Sequence, residues 1–260
     1  MAMTTPHPRN QLLRTLPPDR RAAILAQAEL MDLPKRKLLY DLHTPISDVY
    51  FIEDGVASIV SLLRDGTAVE TATCGCEGMI GLPLFLGADR VSTQALQQVP
   101  GRGWRLSREN FLEHLRESPE LRSYLGCYTQ AVMTLIAQNS ACNRRHSIEE
   151  RAVRWLLMTH DQVEHDSFEL THQFFSQMLG VRRATITVTA GGLQEAGLIK
   201  YHRGMVTIVN REGLMDVCCE CYAIIHNEFA RQLGWDSLLP DPLEKMKLSD
   251  RQFSTVADGA

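Results

Sequence analysis

Apolar positions along the chain recur with two different periods, and the change from one to the other divides it. Between residues 33 and 106 the apolar runs are short and strand-like: Lys37–Leu39, Asp48–Ile52, Val56–Leu63, Ala68–Thr73, Met79–Leu86, Ser92–Val99 and Gly103–Leu106. Turn signals separate them, at Asp54-Gly55, Asp65-Gly66, Gly75, Gly78, Gly87 and Pro100-Gly101. Regularly spaced short strands with glycine turns predict an antiparallel β-roll or jelly roll. Ahead of it, Asn10–Leu16 predicts a helical turn. Pro17-Pro18-Asp19 opens a helix through Leu30, with Ile24, Leu25 and Ala28 inward.

After the roll the period becomes helical. Ser107–Glu117 predicts one helix, and Ser118-Pro119-Glu120 opens a long one, with Ser118 as cap and Pro119 at the first helical position. Inside it Leu121, Leu125, Tyr128, Val132, Leu135, Asn139 and Cys142 alternate at spacings of four and three. A helix lying on its own roll calls for a wider stripe. The narrow seam predicts a parallel two-stranded coiled coil in which Asn139 sets the register. Asn143–Ser147 is polar and basic and predicts a hinge. Ser147-Ile148-Glu149-Glu150 then starts a helix to about Gln162 that carries Trp155, Leu156 and Met158.

Residues 171–199 predict two short helices around a tight turn. Thr171 suits an N-cap, and Phe174, Phe175, Met178 and Leu179 form one apolar stripe. Gly180 provides positive φ and Val181 plugs the corner. Arg182-Arg183-Ala184-Thr185 opens the second helix, with Ile186 and Leu193 inward, and Gly197 stops it. Leu198–Tyr201 and Met205–Val209 predict two strands around Arg203-Gly204. Helix, turn, helix and hairpin make a winged helix-turn-helix. No acidic residue lies between Thr171 and Gln194. A helix start with two arginines and no carboxylate suits a phosphate-lined groove. Residues 212–229 predict a final helix with Arg211 at its start, and residues 231–260 an acidic, loosely held tail.

Charge sharpens this picture. The 260 residues carry a net charge of −4, which argues against non-specific coating of nucleic acid. Residues 1–143 hold 14 basic and 15 acidic side chains, residues 144–211 hold 9 and 7, and residues 212–260 hold 4 and 9. The block with the two-helix reader is the net-positive one, so DNA binding is expected to be local. Seven cysteines (Cys74, Cys76, Cys127, Cys142, Cys218, Cys219, Cys221) and a start without an apolar leader predict reduced thiols in a cytoplasm. No run of 18 apolar residues is present, so no membrane span is expected.

Other chemistry finds little footing. Cys74-Gly75-Cys76 is short for zinc. Cys218-Cys219-Glu220-Cys221 is thiol-dense but needs further ligands, His226 or the roll cysteines, and reads as small buried hydrophobes. No metal site is assigned. His160, Glu164 and His165 miss the H-x-x-E-H spacing by one residue. No Ser/His/Asp set, P-loop or dinucleotide fingerprint is present, so no catalytic residue and no enzyme is expected.

Roll, long helix, hinge and winged reader, in that order, resemble the Crp/Fnr family of bacterial transcription regulators. The resemblance covers about residues 12–230 and rests on VYFIEDGVASIV and GCEGMIGLPLFLG in the roll and LTHQFFSQMLGVRRATITVTAGGLQEAGLI in the reader. It implies an α+β chain: an effector or sensor β-roll at 12–117, a dimerisation helix and hinge at 118–146, and a winged helix-turn-helix at 147–230. It also implies a homodimer that binds a palindromic operator on double-stranded DNA and acts with RNA polymerase. Arg183 matches the family's base-reading arginine, which can pair with guanine O6 and N7. Ala184 stands where Glu is frequent, and Val188 at a position often basic. We expect Arg182 and Arg183 on bases or phosphates, and hydroxyl or methyl contacts from Thr185, Thr187 and Thr189. Thr171, His172 and Arg203 are expected on flanking DNA.

In the roll, Gly81 is followed by Leu82, so the carboxylate that binds the cyclic-nucleotide ribose in the family is absent. That argues against cAMP, and the effector stays open. Gly81, Leu82, Arg90, Ser92, Thr129 and Gln130 are the pocket candidates. Residues 1–73 hold no Cys, so the family's N-terminal iron–sulfur ligands are missing. A second possibility is a ligand- or redox-sensing module that works through protein contacts and carries a degenerate reader.

Overall fold

A computed structural model describes residues 8–235 and 238–241. Two short helices, α1 (Gln11–Thr15) and α2 (Pro18–Gln27), lead into the roll. Asn10 caps α1: its side chain accepts from the Leu13 N–H and donates to the Ile52 and Gly78 carbonyls, pinning the leader to the roll. The predicted helix through Leu30 ends at Gln27, and Glu29–Leu33 is strand β1.

The roll continues through β2 (Leu38–Tyr40), β3 (Asp48–Leu62), β4 (Ala68–Cys74), β5 (Met79–Ile80), helix α3 (Leu82–Phe85) and β6 (Thr93–Ser107). Its antiparallel sheet runs β1-β6-β3-β4, with β2 on β6 and β5 on β3. Two predicted turns are interior to long strands. At Asp54-Gly55 and Pro100-Gly101 the β3–β6 ladder shifts register instead of reversing. A Cβ on Gly101 would lie 1.9 Å from the Asp54 carbonyl oxygen, and one on Gly55 2.5 Å from that of Val99. These glycines allow a close backbone crossing at a bulge.

Helix α4 (Arg108–Glu117), capped by Ser107, leads to the long helix α5 (Pro119–Arg145), capped by Ser118. The predicted coiled-coil seam faces inward. Leu121, Leu125, Tyr128, Val132, Leu135 and Cys142 are buried within the single chain. Asn139 donates to the Thr71 carbonyl of β4 at 2.9 Å, so it is a bond to the roll and not a register residue. Tyr128 donates to the Met79 carbonyl and meets Phe229 edge-on. Spacing reports a narrow buried stripe, and here the roll and the last helix cover it. The opposite face is open at Gly126, Gln130, Met133, Ile136, Ala137 and Ser140, with Met133 60% exposed.

Beyond His146-Ser147 come α6 (Ile148–His160), β7 (Ser167–Glu169), α7 (His172–Leu179), α8 (Arg183–Glu195), β8 (Ile199–His202), β9 (Met205–Ile208), α9 (Arg211–Val217) and α10 (Cys221–Leu233). Ser147 and Glu150 form a capping box at α6. The single predicted last helix is two, broken at residues 218–220. It also outruns the predicted boundary at 230: Trp235 packs on the main core, and Asn227 bonds the Leu239 N–H and carbonyl. The remainder of the expected tail, 242–260, lies outside the described residues. Among the described residues no helix is long and apolar enough to cross a membrane.

Candidate nucleic-acid interface

The reader is built on an apolar floor. Phe174, Phe175, Met178 and Leu179 of α7 and Ile186, Ala190 and Leu193 of α8 are buried, and Trp155 of α6 lies against the Phe175 ring at 4.9 Å between centroids. The Thr171 hydroxyl caps α7 by accepting from the Phe174 N–H. Gly180 ends α7 at φ 63, and the Val181 N–H donates to the Ser176 carbonyl, so the chain turns within three residues. Arg182 then sits at the N-cap of α8, whose first turn holds no acid.

With one side of α8 fixed on the floor, the other faces out. Arg182, Arg183, Ala184, Thr187 and Val188 are exposed, Val188 to 76%. The orphan N–H groups at this helix start and two guanidinium groups give the edge a positive character. Thr185 and Thr189 are half-buried on its flanks. Thr187 donates to the Arg183 carbonyl and meets His172 Nδ1 at 3.1 Å. His172 also stacks on Tyr201, with ring centroids 4.4 Å apart. Burial, helped by the nearby Arg183 charge, holds the imidazole below its ordinary pKa. This histidine therefore braces α7, α8 and the wing, and its side chain is half-buried.

The wing is a three-stranded sheet, β7-β9-β8, with β7 missed by sequence reasoning because three residues carry too little alternation. Arg203 sits at its tip at φ 48, exposed, beside Gly204 at φ 82. Tyr201 donates its hydroxyl to the Leu170 carbonyl and fixes the wing to the start of α7. Arg182, Arg183, Thr187 and Arg203 are thus the exposed members of the predicted set. Gln173 and Gln177 of α7, exposed beside them, were not singled out.

The reader is seated on the roll. Trp155 donates to Glu70 of β4 at 2.9 Å, and Lys35 pairs with Glu169 at 2.8 Å. Val56, Val60 and Val99 of the roll share one apolar cluster with Trp155, Phe174 and Leu179. The β3–β4 tip, Asp65–Ala68, forms one wall of an open groove; Gln177, Arg182 and Arg183 form the other.

None of the effector-pocket candidates lines a cavity found among the described residues. Gly81, at φ 104, lets α3 turn inward, and Leu82 packs on the roll core. Arg90 is on the surface against Asp89 and the His43 carbonyl, and Ser92 is exposed. Thr129 donates to the Leu125 carbonyl of its own helix, and Gln130 is on the open face of α5. A cavity of about 260 Å³ lies elsewhere, among the roll, α5, α6 and α10, lined in part by Thr73, Glu77, Gln162 and His226. None of the six candidates lines it. Glu77 is buried there, and desolvation raises its carboxyl to about 7 although both oxygens accept from the Gly75 N–H.

Cys142, Cys219 and Cys221 are buried together, as expected of small hydrophobes, but they also gather a histidine. The side chains that meet Cys219 and Cys221 are Cys142 of α5 and His146 at its C-cap, not His226 or the roll cysteines. The signal available in the sequence was the four-residue spacing of Cys142 and His146 across the end of the long helix.

Residues 150–217 match the family model described as the Crp-like helix-turn-helix domain. No curated protein matches the chain by sequence. Among solved structures, FixK2 from Bradyrhizobium japonicum superposes with a TM-score of 0.63 at 16% identity, over 74% of this chain and 98% of that one. A putative transcriptional regulator of the Crp/Fnr family from Eubacterium rectale gives 0.61 at 16%, over 79% and 96%. CLP of Xanthomonas campestris, described as a c-di-GMP responsive global regulator, gives 0.58 at 16%, over 73% and 98%. Residues 150–217 thus match a Crp-like helix-turn-helix domain, and the chain shares its fold with solved Crp/Fnr regulators.

Proposed function

We propose that the chain is a sequence-specific DNA-binding transcription regulator that binds a palindromic operator as a homodimer in the cytoplasm and acts with RNA polymerase. The observation that carries this is the outer edge of α8: two exposed arginines at a helix start with no acid in its first turn, on a helix whose other face is locked to an apolar floor. Arg183 reads a base edge, and Arg182 and Arg203 hold phosphates. Thr187 and Val188 offer methyl groups to thymine. The second copy docks along the open face of α5, where Gly126, Ala137 and Ser140 allow close approach and Met133 and Ile136 supply apolar area.

Selection of the full chain on random duplex DNA tests the proposal. The expected product is a two-fold symmetric site with half-sites one helical turn, about 34 Å, apart. Its affinity should fall steeply with salt. Absence of any enriched symmetric site overturns it.

A second reading, a sensing module with a degenerate reader, is favoured by Ala184 and Val188, which put no hydrogen-bonding group on the exposed edge. The Arg183→Ala variant separates the two, since under the second reading the biological output does not depend on Arg183.

A further inference from the structure

Where the long helix ends, four soft donors converge. Cys142 lies in the last turn of α5 and His146 caps that helix, while Cys219 lies in the break between α9 and α10 and Cys221 opens α10. One ligand atom from each lies within 4.8 Å of all the others. Cys142 Sγ and Cys219 Sγ are 3.7 Å apart, and Cys221 Sγ and His146 Nδ1 are 3.4 Å apart. A tetrahedral zinc with Zn–S near 2.3 Å and Zn–N near 2.0 Å needs S···S of about 3.8 Å and S···N of about 3.5 Å. Three cysteines and one histidine form a recurrent donor set of closed zinc sites.

The surroundings fit the same ion. His146 points Nδ1 at the sulfurs and places Nε2 3.2 Å from the Glu220 carboxylate. A carboxylate on the far nitrogen fixes the tautomer of a ligating imidazole. Gln138 donates to Cys221 Sγ at 3.1 Å. Zinc with three thiolates carries one net negative charge, and α6, which follows the site directly, carries Arg151 and Arg154. Both arginines are buried, and the Nε of each has no hydrogen-bond partner among the described residues. The three cysteines are themselves buried and touch one another, apart from the main apolar clusters.

We propose that Cys142, His146, Cys219 and Cys221 bind one zinc ion, which ties the end of the long helix to the helices that follow the wing. The site sits across the turn at His146-Ser147 and so sets how the reader hangs from α5. Each thiol that binds as thiolate releases its proton to solvent, and no electron is transferred.

The full chain, purified under reducing conditions, loaded with Zn²⁺ and desalted, tests this by elemental mass spectrometry and by Co²⁺ absorption. The expected result is about one zinc per chain, with cobalt giving thiolate charge-transfer bands and intense tetrahedral d–d bands. Glu220→Gln lowers cobalt affinity by roughly tenfold or more. Cys219→Ser loses the metal, and Cys218→Ser, outside the set, keeps it. Because serine variants can misfold, His146→Cys serves as a second probe: it keeps the metal and strengthens the charge-transfer band through a fourth thiolate. The proposal is overturned by a folded chain retaining less than about a tenth of an equivalent, by equal losses in Cys218→Ser and Cys219→Ser, or by a Cys142–Cys219 disulfide whose reduction restores no metal binding.

Discussion

Replacing Glu77 by Gln removes a buried acid and keeps its shape. In the folded chain the carboxyl is raised from an ordinary 4.5 to about 7, because burial disfavours the anion, and the Asp161 charge adds to this. The two bonds from the Gly75 N–H work the other way and are outweighed. A rise of that size corresponds to proton binding tighter by ~3 kcal/mol in the folded state. The sign follows from linkage. Between 4.5 and about 7 the folded chain holds this proton and the unfolded chain does not. The contribution to stability is therefore complete below 4.5 and is lost as pH rises through that window to about 7. Gln never ionises, and its side-chain oxygen still accepts from the Gly75 N–H. Glu77→Gln is expected to match the wild type near the acid end of the window and to exceed it by up to ~3 kcal/mol above it. Urea unfolding followed by tryptophan fluorescence across the window measures both. An unchanged pH slope in the variant, or a variant less stable than the wild type on the alkaline side, would refute the reasoning. Glu70, also raised to about 7 by burial, contributes a slope of the same sign, so the single variant reduces the dependence without abolishing it.

Arg183→Ala is expected to weaken operator binding by ~1–3 kcal/mol and to relax preference at one base pair per half-site; fluorescence anisotropy with matched and mismatched duplexes checks it. Arg203→Ala should weaken matched and random DNA alike and reduce the salt slope by about 1, read from a salt titration. Met133→Glu places a charge on the open face of α5 and should shift sedimentation from dimer to monomer while the chain stays folded. Gly101→Ala sets a methyl against the Asp54 carbonyl and should lower thermal stability by ~1–3 kcal/mol, seen in calorimetry.

The reader was legible because its signals are local. Thr171 caps, Gly180 turns and Arg203-Gly204 reverses within a few residues, and each demand falls on the residue that meets it. Long-range relations were not legible. Asp54-Gly55 and Pro100-Gly101 look like turns until two strands cross there. The stripe on α5 shows that one face is buried but not by which partner, and Asn139 resembles a register residue until Thr71 is beside it. The thiol group needs ligands 77 residues apart, between Cys142 and Cys219, and only the fold joins them. The effector candidates were transferred from a family pattern whose carboxylate this chain lacks, and Leu82, Arg90 and Thr129 make other contacts.

The apolar cluster that runs from Val56, Val60 and Val99 into Trp155 and Phe174 has a consequence for how the molecule comes apart. Two bodies joined by a mere strap melt one after the other, each with its own transition. Here Val56, Val60 and Val99 of the roll close the interior of the reader, so the reader is not complete alone. Heating should give one sharp transition for the whole chain, and a fragment cut at the strap should be sticky, short-lived and prone to clump.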